Sequence, residues 1–155
     1  MTSRPLRGAV GQTLIEVREA RDESEREALL ALRHDVFVQE QGVPLELEID
    51  EHDETAVQIV AFEGDRLVGT CRVLPDGRQA KFGRLVVERE ARGRGIGAAL
   101  LAEAERRARA MGCDRMVLDA QTSAMGLYER AGYTARGDVF LDAGIEHMTM
   151  EKALA

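Results

Sequence analysis

Two hydrophobic rhythms run along this chain, and the order in which they come predicts its layout. Leu14-Ile15-Glu16-Val17-Arg18 alternates apolar and polar residues, the period of a half-buried strand. A helical period follows. Asp22 with Glu25 three residues on is a capping-box-like start, and Leu29, Leu32, Val36 and Phe37 recur at helical spacing. This helix is expected to run to about Gln41 and to stop before Gly42 and Pro44. Strands are then expected at Val57 to Phe62, Leu67 to Leu74 and Lys81 to Glu88. Turns at Gly64-Asp65 and Pro75-Asp76-Gly77 would join them into an antiparallel meander.

The second half changes character. From Gly97 a helical stripe of Leu101, Ala104, Ala108 and Met111 ends at Gly112. Met116 to Ala120 is an apolar strand, so the strand–helix–strand run implies a parallel pair with a right-handed crossover. A short helix is expected at Ala124 to Arg130, ended by Gly132. Tyr133 to Leu141 and Ile145 to Met150 read as a hairpin across Asp142-Ala143-Gly144. The prediction is an α/β (α+β) domain with a mixed, mostly antiparallel sheet of about six or seven strands.

Length and composition fit one core. The 155 residues are 45% hydrophobic and 32% charged, which suits a single globular domain over residues 13–155 behind a polar, flexible leader, Met1 to Gln12. The net charge of −7 argues against a general nucleic-acid binder. Charge is nevertheless uneven: seven acids and no Lys or Arg lie between Glu40 and Glu54, and eight arginines lie between Arg84 and Arg115. Such lobes could hold a cationic and an anionic substrate, or could be ordinary solvated surface. Cys71 and Cys113 form no CxxC motif and suit buried thiols in a reducing cytoplasm. His34, His52 and His147 show no metal-ligand spacing, so no metal is expected. No apolar run approaches membrane-spanning length, and no membrane partner is expected.

The chemistry concentrates at Arg92-Gly93-Arg94-Gly95-Ile96-Gly97, between the apolar run Leu85-Val86-Val87 and a long helix. Glycines let a backbone approach a ligand, and a helix N-terminus offers unpaired N–H donors and a positive dipole end. Together they make a phosphate site, to which Arg92 and Arg94 would add charge. Gly93-x-Gly95-x-x-Ala98 also fits a loose dinucleotide fingerprint, with Asp114 and Asp119 near the acidic position, but that fold wants the turn after the first strand of a parallel sheet. The Walker pattern fails, since no Lys-Ser or Lys-Thr follows the glycines.

Arg92-x-x-Gly95-x-Gly97 after a strand resembles the signature of the GNAT (GCN5-related) N-acetyltransferases, and the resemblance in element order extends from about Leu14 to Lys152. Phe37-Val38-x-Glu40-Gln41-x-Val43-Pro44, Glu48-Ile49-Asp50-Glu51, Asp119-Ala120-Gln121-Thr122 and Phe140-Leu141-Asp142-Ala143-Gly144-Ile145-x-His147 are similar to the YjcF/ElaA-like branch. The resemblance implies a GNAT-like sheet with helices on both faces and acetyl-CoA as co-substrate. It implies that the backbone of Leu85, Val86 and Val87 pairs with the pantetheine amides and that N–H groups of Gly93, Arg94, Gly95, Ile96, Gly97 and Ala98 hold the pyrophosphate. Tyr128, in Leu127-Tyr128-Glu129-Arg130-Ala131-Gly132-Tyr133, matches the family tyrosine that protonates the leaving thiolate; a core aromatic is the plainer alternative. For the base that deprotonates the acceptor, Asp119, Glu40 and His147 all remain open. The acceptor would be a small-molecule or peptide amine, and the acidic Glu40 to Glu54 region leans toward a cationic one. A homodimer is common in such folds. A non-catalytic acyl-CoA-binding module would keep the glycine turn and dispense with Tyr128.

Overall fold

The computed structural model describes residues 4–6, as backbone, and 14–154. One mixed sheet of eight strands runs β1-β2-β3-β4-β5-β6-β8-β7. Its strands are β1 (Arg4–Leu6), β2 (Ile15–Glu19), β3 (Val57–Glu63), β4 (Arg66–Asp76), β5 (Gln79–Val87), β6 (Arg115–Gln121), β7 (Thr134–Asp142) and β8 (Ile145–Ala153). Every neighbouring pair is antiparallel except β5 and β6, which the long crossover helix makes parallel. The helices are α1 (Glu23–Arg33), α2 (Leu45–Glu48), α3 (Ile96–Ala110) and α4 (Met125–Arg130). The expected meander, crossover and final hairpin are all present. A glycine turn placed after the last strand of a meander, beside a single parallel pair, is not the doubly wound arrangement a dinucleotide fold needs.

Adjacent residues of β4 show that helices cover both faces. An added Cβ on Gly69 would meet Leu100 Cδ1 at 3.0 Å and Ile96 Cγ2 at 3.1 Å, so the missing side chain lets α3 lie close. Cys71 Sγ lies 3.8 Å from the Leu100 carbonyl on that same face. Arg72 points the other way, where Nη1 and Nη2 bond Asp50 in the segment after α1. The main core forms against α3 from Ile59, Val68, Phe82, Leu100, Leu118 and Met150, all at most 1% exposed.

Four details depart from the sequence pattern. Within the expected leader, Arg4–Leu6 pairs with β2 as an eighth strand, Arg4 opposite Val17; the remaining leader positions lie outside the described residues. The first helix does reach Glu40, but from His34 it widens, with Gln41 N–H bonded to Val36 carbonyl at 2.9 Å. His34, Asp35, Val36, Phe37 and Val38 are a run of weak helix formers, so the standard ladder is easily lost there. Pro75 and Asp76 belong to β4, and the turn falls on Gly77 and Arg78. β3 pairing stops at Val73, so the missing Pro75 N–H costs no ladder bond on that side. Finally, α2 and a 3-10 turn at Glu51–Glu54 order the acidic segment, which has neither strand nor helix periodicity.

Candidate active site

A bulge opens the sheet. On β4 one residue, Cys71, separates the partners of Val86 and Gly83, whereas on β5 two residues, Arg84 and Leu85, fill the same interval. Arg84 takes φ +55, a left-handed conformation uncommon for a side chain of its size. Such a bulge bends its strand. β5 accordingly leaves β6 after pairing Gln79–Phe82 with Arg115–Leu118, and Gly83–Val87 diverges from Asp119–Gln121. The resulting cleft holds about 440 Å³ and is lined by Leu85, Leu118, Asp119, Tyr128 and His147 among others. Glu88 N–H donates to Val68 on β4, while Val87 carbonyl turns away to accept from Arg92 Nε at 2.9 Å. By strand alternation Leu85 and Val87 present their backbone groups to the opened side, and Val86 presents its own to β4.

At the end of this edge the glycine turn leads into α3. Gly93 and Gly95 take φ +80 and +81, and an added Cβ at either would meet nothing within 4 Å. Conformation, not crowding by the protein, demands glycine there. Gly95 is the N-cap of α3 and supplies no side-chain cap, so the first N–H groups of the helix stay free for an anion. The arginines act differently from the expectation. Arg92 holds Glu40 through both Nη atoms at 3.0 and 3.1 Å, and Arg94 holds Glu63 at 2.7 and 3.3 Å. They tie the turn to the end of the first helix and to β3. Arg94 Nε is buried with no partner among the described residues.

The acid–base residues separate spatially. Tyr128, on α4, is 7% exposed and packs edge-on against Phe82 and Tyr133, with ring centroids 6.2 and 6.1 Å away. Burial, with a smaller contribution from Cys71, pushes its phenol well above the ordinary value and keeps it protonated. Asp119 bonds Lys81 Nζ at 2.8 Å and accepts from Thr149 Oγ1 at 2.9 Å. Burial pushes its carboxyl up, but Lys81, Thr149 and then His147 outweigh that and hold it below the ordinary carboxylate value. His147 faces Gln121 across the β6–β8 pair, stacks on Phe140, and places Nδ1 2.7 Å from Ile145 carbonyl. A carbonyl only accepts, so Nδ1 carries the proton and Nε2 of the neutral ring is the free base. Glu40 does not line this cleft; it is bound to Arg92 and lies 3.3 Å from Arg89, and Arg92 foremost holds its carboxyl down.

Sequence reasoning missed Lys81, the Gln121–Gln41 bond of 2.8 Å that joins β6 to the end of the first helix, and a buried charge network. Arg33 is fully buried and grips Glu48 and Asp53, each at 2.6 Å at closest. Arg72 takes Asp50 at 2.7 and 2.9 Å and reaches Asp53 at 3.0 Å. Glu40, Glu48, Asp50 and Asp53 are therefore paired with arginines, four of the seven acids between Glu40 and Glu54. Gly83 beside Arg84, inside a strand pattern, was the one available signal of a bulge. Among the described residues no group of three or more His, Cys, Asp or Glu is placed to hold a metal, and no helix is long and apolar enough to cross a membrane.

The comparisons agree on one family. Residues 19–154 match the model of the acetyltransferase (GNAT) domain. The chain is similar to the uncharacterized N-acetyltransferase YjcF of Bacillus subtilis, at 35% identity over 86% of this chain and 96% of the relative. Among solved structures it resembles Escherichia coli ElaA, with TM-score 0.80 and 27% identity over 89% of this chain and 99% of that one. It also resembles an acyl-CoA N-acyltransferase from Pseudomonas aeruginosa, with TM-score 0.79 and 31% identity over 90% of this chain and 98% of that one.

Proposed function

Because this chain belongs to the GNAT family of acetyltransferases, we propose that it transfers the acetyl group of acetyl-CoA to a primary amine by direct attack in a ternary complex. One observation carries the reading: the splayed β5 edge runs from a cleft containing Tyr128 and His147 to the uncapped start of α3. Acetyl-CoA is the co-substrate. Its pyrophosphate would sit on the N–H groups of Gly93 to Ala98, and its pantetheine amides would pair with Leu85 and Val87 in place of the missing strand. A β5 N–H near the bulge would stabilise the oxyanion as the thioester carbonyl becomes tetrahedral.

The acceptor arrives as an ammonium and must lose one proton to expose its lone pair. His147 Nε2 is the better placed base, since Asp119 is committed to Lys81 and Thr149 and held acidic. The nitrogen then bonds to the acetyl carbon, the carbon–sulfur bond breaks, and Tyr128 gives its proton to the departing thiolate. A further proton leaves the nitrogen and returns to Tyr128 through solvent, so one proton is released overall. Burial makes the phenol a weaker acid, but the same burial disfavours a naked thiolate, so the transfer stays matched.

The test is release of free thiol from acetyl-CoA over a panel of primary amines, with calorimetric binding of acetyl-CoA measured alongside. Amine-dependent thiol release is expected. Tight binding with no release from any amine would make the protein an acyl-CoA-binding module, and no binding at all would remove the reading.

A further inference from the structure

We infer that the acceptor is an amine that also carries a carboxylate, amino-acid-like, and that Arg84 holds that carboxylate. This rests on the acetyltransferase reading of the cleft. Three guanidiniums, Arg33, Arg72 and Arg84, converge here with three carboxylates, Glu48, Asp50 and Asp53. The pairing is unequal. Arg33 binds Glu48 and Asp53 at 2.6 Å, and Arg72 takes Asp50 in a fork at 2.7 and 2.9 Å. Arg84 only shares a carboxylate: its Nη2 donates to Asp50 Oδ2 at 3.3 Å, an oxygen that Arg72 already takes at 2.9 Å. Its Nε donates to Glu48 carbonyl at 2.9 Å and its Nη2 also to Leu47 carbonyl at 3.2 Å, with a Glu48 carboxylate oxygen 3.5 Å from Nε.

Nη1 of Arg84 makes no hydrogen bond to another described residue, and the side chain keeps 26% of its exposure at the cleft wall. Desolvation, then Arg72 and Arg33, pull its affinity for a proton down, so an anion brought to it would be welcome. A cationic group would meet the reverse: the nearby carboxylates are spent. Arg72 and Glu48 line the cleft beside Arg84, whereas Asp119, bonded to Lys81, lies on the β6 to β8 side with His147. An amine held by its carboxylate at Arg84 would present its nitrogen to His147. With Nε and Nη2 already donating, Nη1 is the donor left to bond a carboxylate oxygen, and a guanidinium keeps its charge while doing so. Position strengthens the assignment: Arg84 is the bulge residue next to Leu85, where the thioester would lie, so a group held there is held within one side chain of the reacting carbon.

The experiment compares amino acids with the corresponding amines that lack the carboxylate, by thiol release from acetyl-CoA, in wild type, Arg84→Asn and Arg84→Lys. Asn tolerates the left-handed backbone of this position, so the bulge is kept while the guanidinium is removed. Wild type should favour the carboxylated member by roughly tenfold or more in kcat/KM, the scale of one hydrogen bond to a charged group. Arg84→Asn should lose that preference, chiefly through KM, and Arg84→Lys should recover part of it. A merely structural Arg84 would lower both members equally and leave the preference intact. Equal turnover of the two members in wild type, a preference that survives in Arg84→Asn, or no turnover of any amino acid by protein that binds acetyl-CoA would each overturn the inference. Failure of wild type to bind acetyl-CoA would instead overturn the acetyltransferase reading itself.

Discussion

Tyr128→Phe separates chemistry from packing because the ring does one job and the hydroxyl the other. The ring sits edge-on to Phe82 and Tyr133 at 6.2 and 6.1 Å, and phenylalanine keeps both contacts. The hydroxyl makes no hydrogen bond to another described residue, so its loss strands no partner. Stability should change by about 0.5 kcal/mol or less. Acetyl-CoA affinity should hold as well, since the proposed binding surface is the backbone of β5 and α3. Turnover should fall by about ten- to a thousandfold, or about 1.4 to 4 kcal/mol in the barrier. Sign matters for pH. The phenol's value is raised, so the acid is present below and well past the ordinary tyrosine range. The gap between wild type and variant should therefore stay constant between about pH 6 and 9. The assay is thiol release under saturating acetyl-CoA, paired with thermal unfolding and calorimetry. Unchanged turnover across that range would make Tyr128 a core aromatic. A parallel loss of melting temperature and affinity would mean that packing, not proton transfer, had been removed.

Other perturbations probe separate parts. Gly95→Asp puts negative charge where the pyrophosphate should lie and strains the backbone at φ +81, so calorimetry should show acetyl-CoA binding lost while the fold survives with stability lowered by about 1 kcal/mol. His147→Gln should lower kcat/KM most near neutral pH, with the loss shrinking toward the amine's own pKa. Asp119→Asn should show a smaller loss that is uniform across pH, and Glu40→Gln should weaken acetyl-CoA binding through Arg92; the reverse pattern would reassign the base. Arg33→Met removes the closest partner of buried Glu48 and Asp53, leaving Arg84 at 3.5 Å and Arg72 at 3.0 Å, and should cost up to about 3 to 5 kcal/mol in denaturant unfolding. Burial pushes Asp53 up, but Arg33 and the Asp50 N–H hold it well below its ordinary value. The stability it confers is present above about pH 4 and falls away as pH drops through the native value, a loss that Asp53→Asn should flatten.

Much of the layout is local and could be read from the residues. Strand and helix rhythms are short-range properties, so β2 to β8, α1, α3 and α4 followed from period alone. Asp22 does cap α1, its side chain accepting from Glu25 N–H at 3.0 Å. The glycine turn was legible because Gly93 and Gly95 need positive φ whatever surrounds them. Less local features were not. Glu25 was read as the second half of a capping box, but its carboxylate goes to Arg18 at 2.7 Å through two bonds and to Arg21 N–H.

The amino-acid order alone thus determined the succession of elements, the glycine turn at the uncapped start of α3 and the family resemblance, because each rests on residues within a few positions of one another. Only the tertiary structure decided which charges are spent and where the sheet opens. Arg92 meets Glu40 across 52 positions, Lys81 meets Asp119 across 38, and Gln121 meets Gln41 across 80. Neither side of such a pair carries a sign of its partner. The bulge at Arg84 likewise exists only in the register between β4 and β5, where two residues face one. A cleft made by two strands parting is a property of their pairing, and pairing is settled when the whole sheet folds.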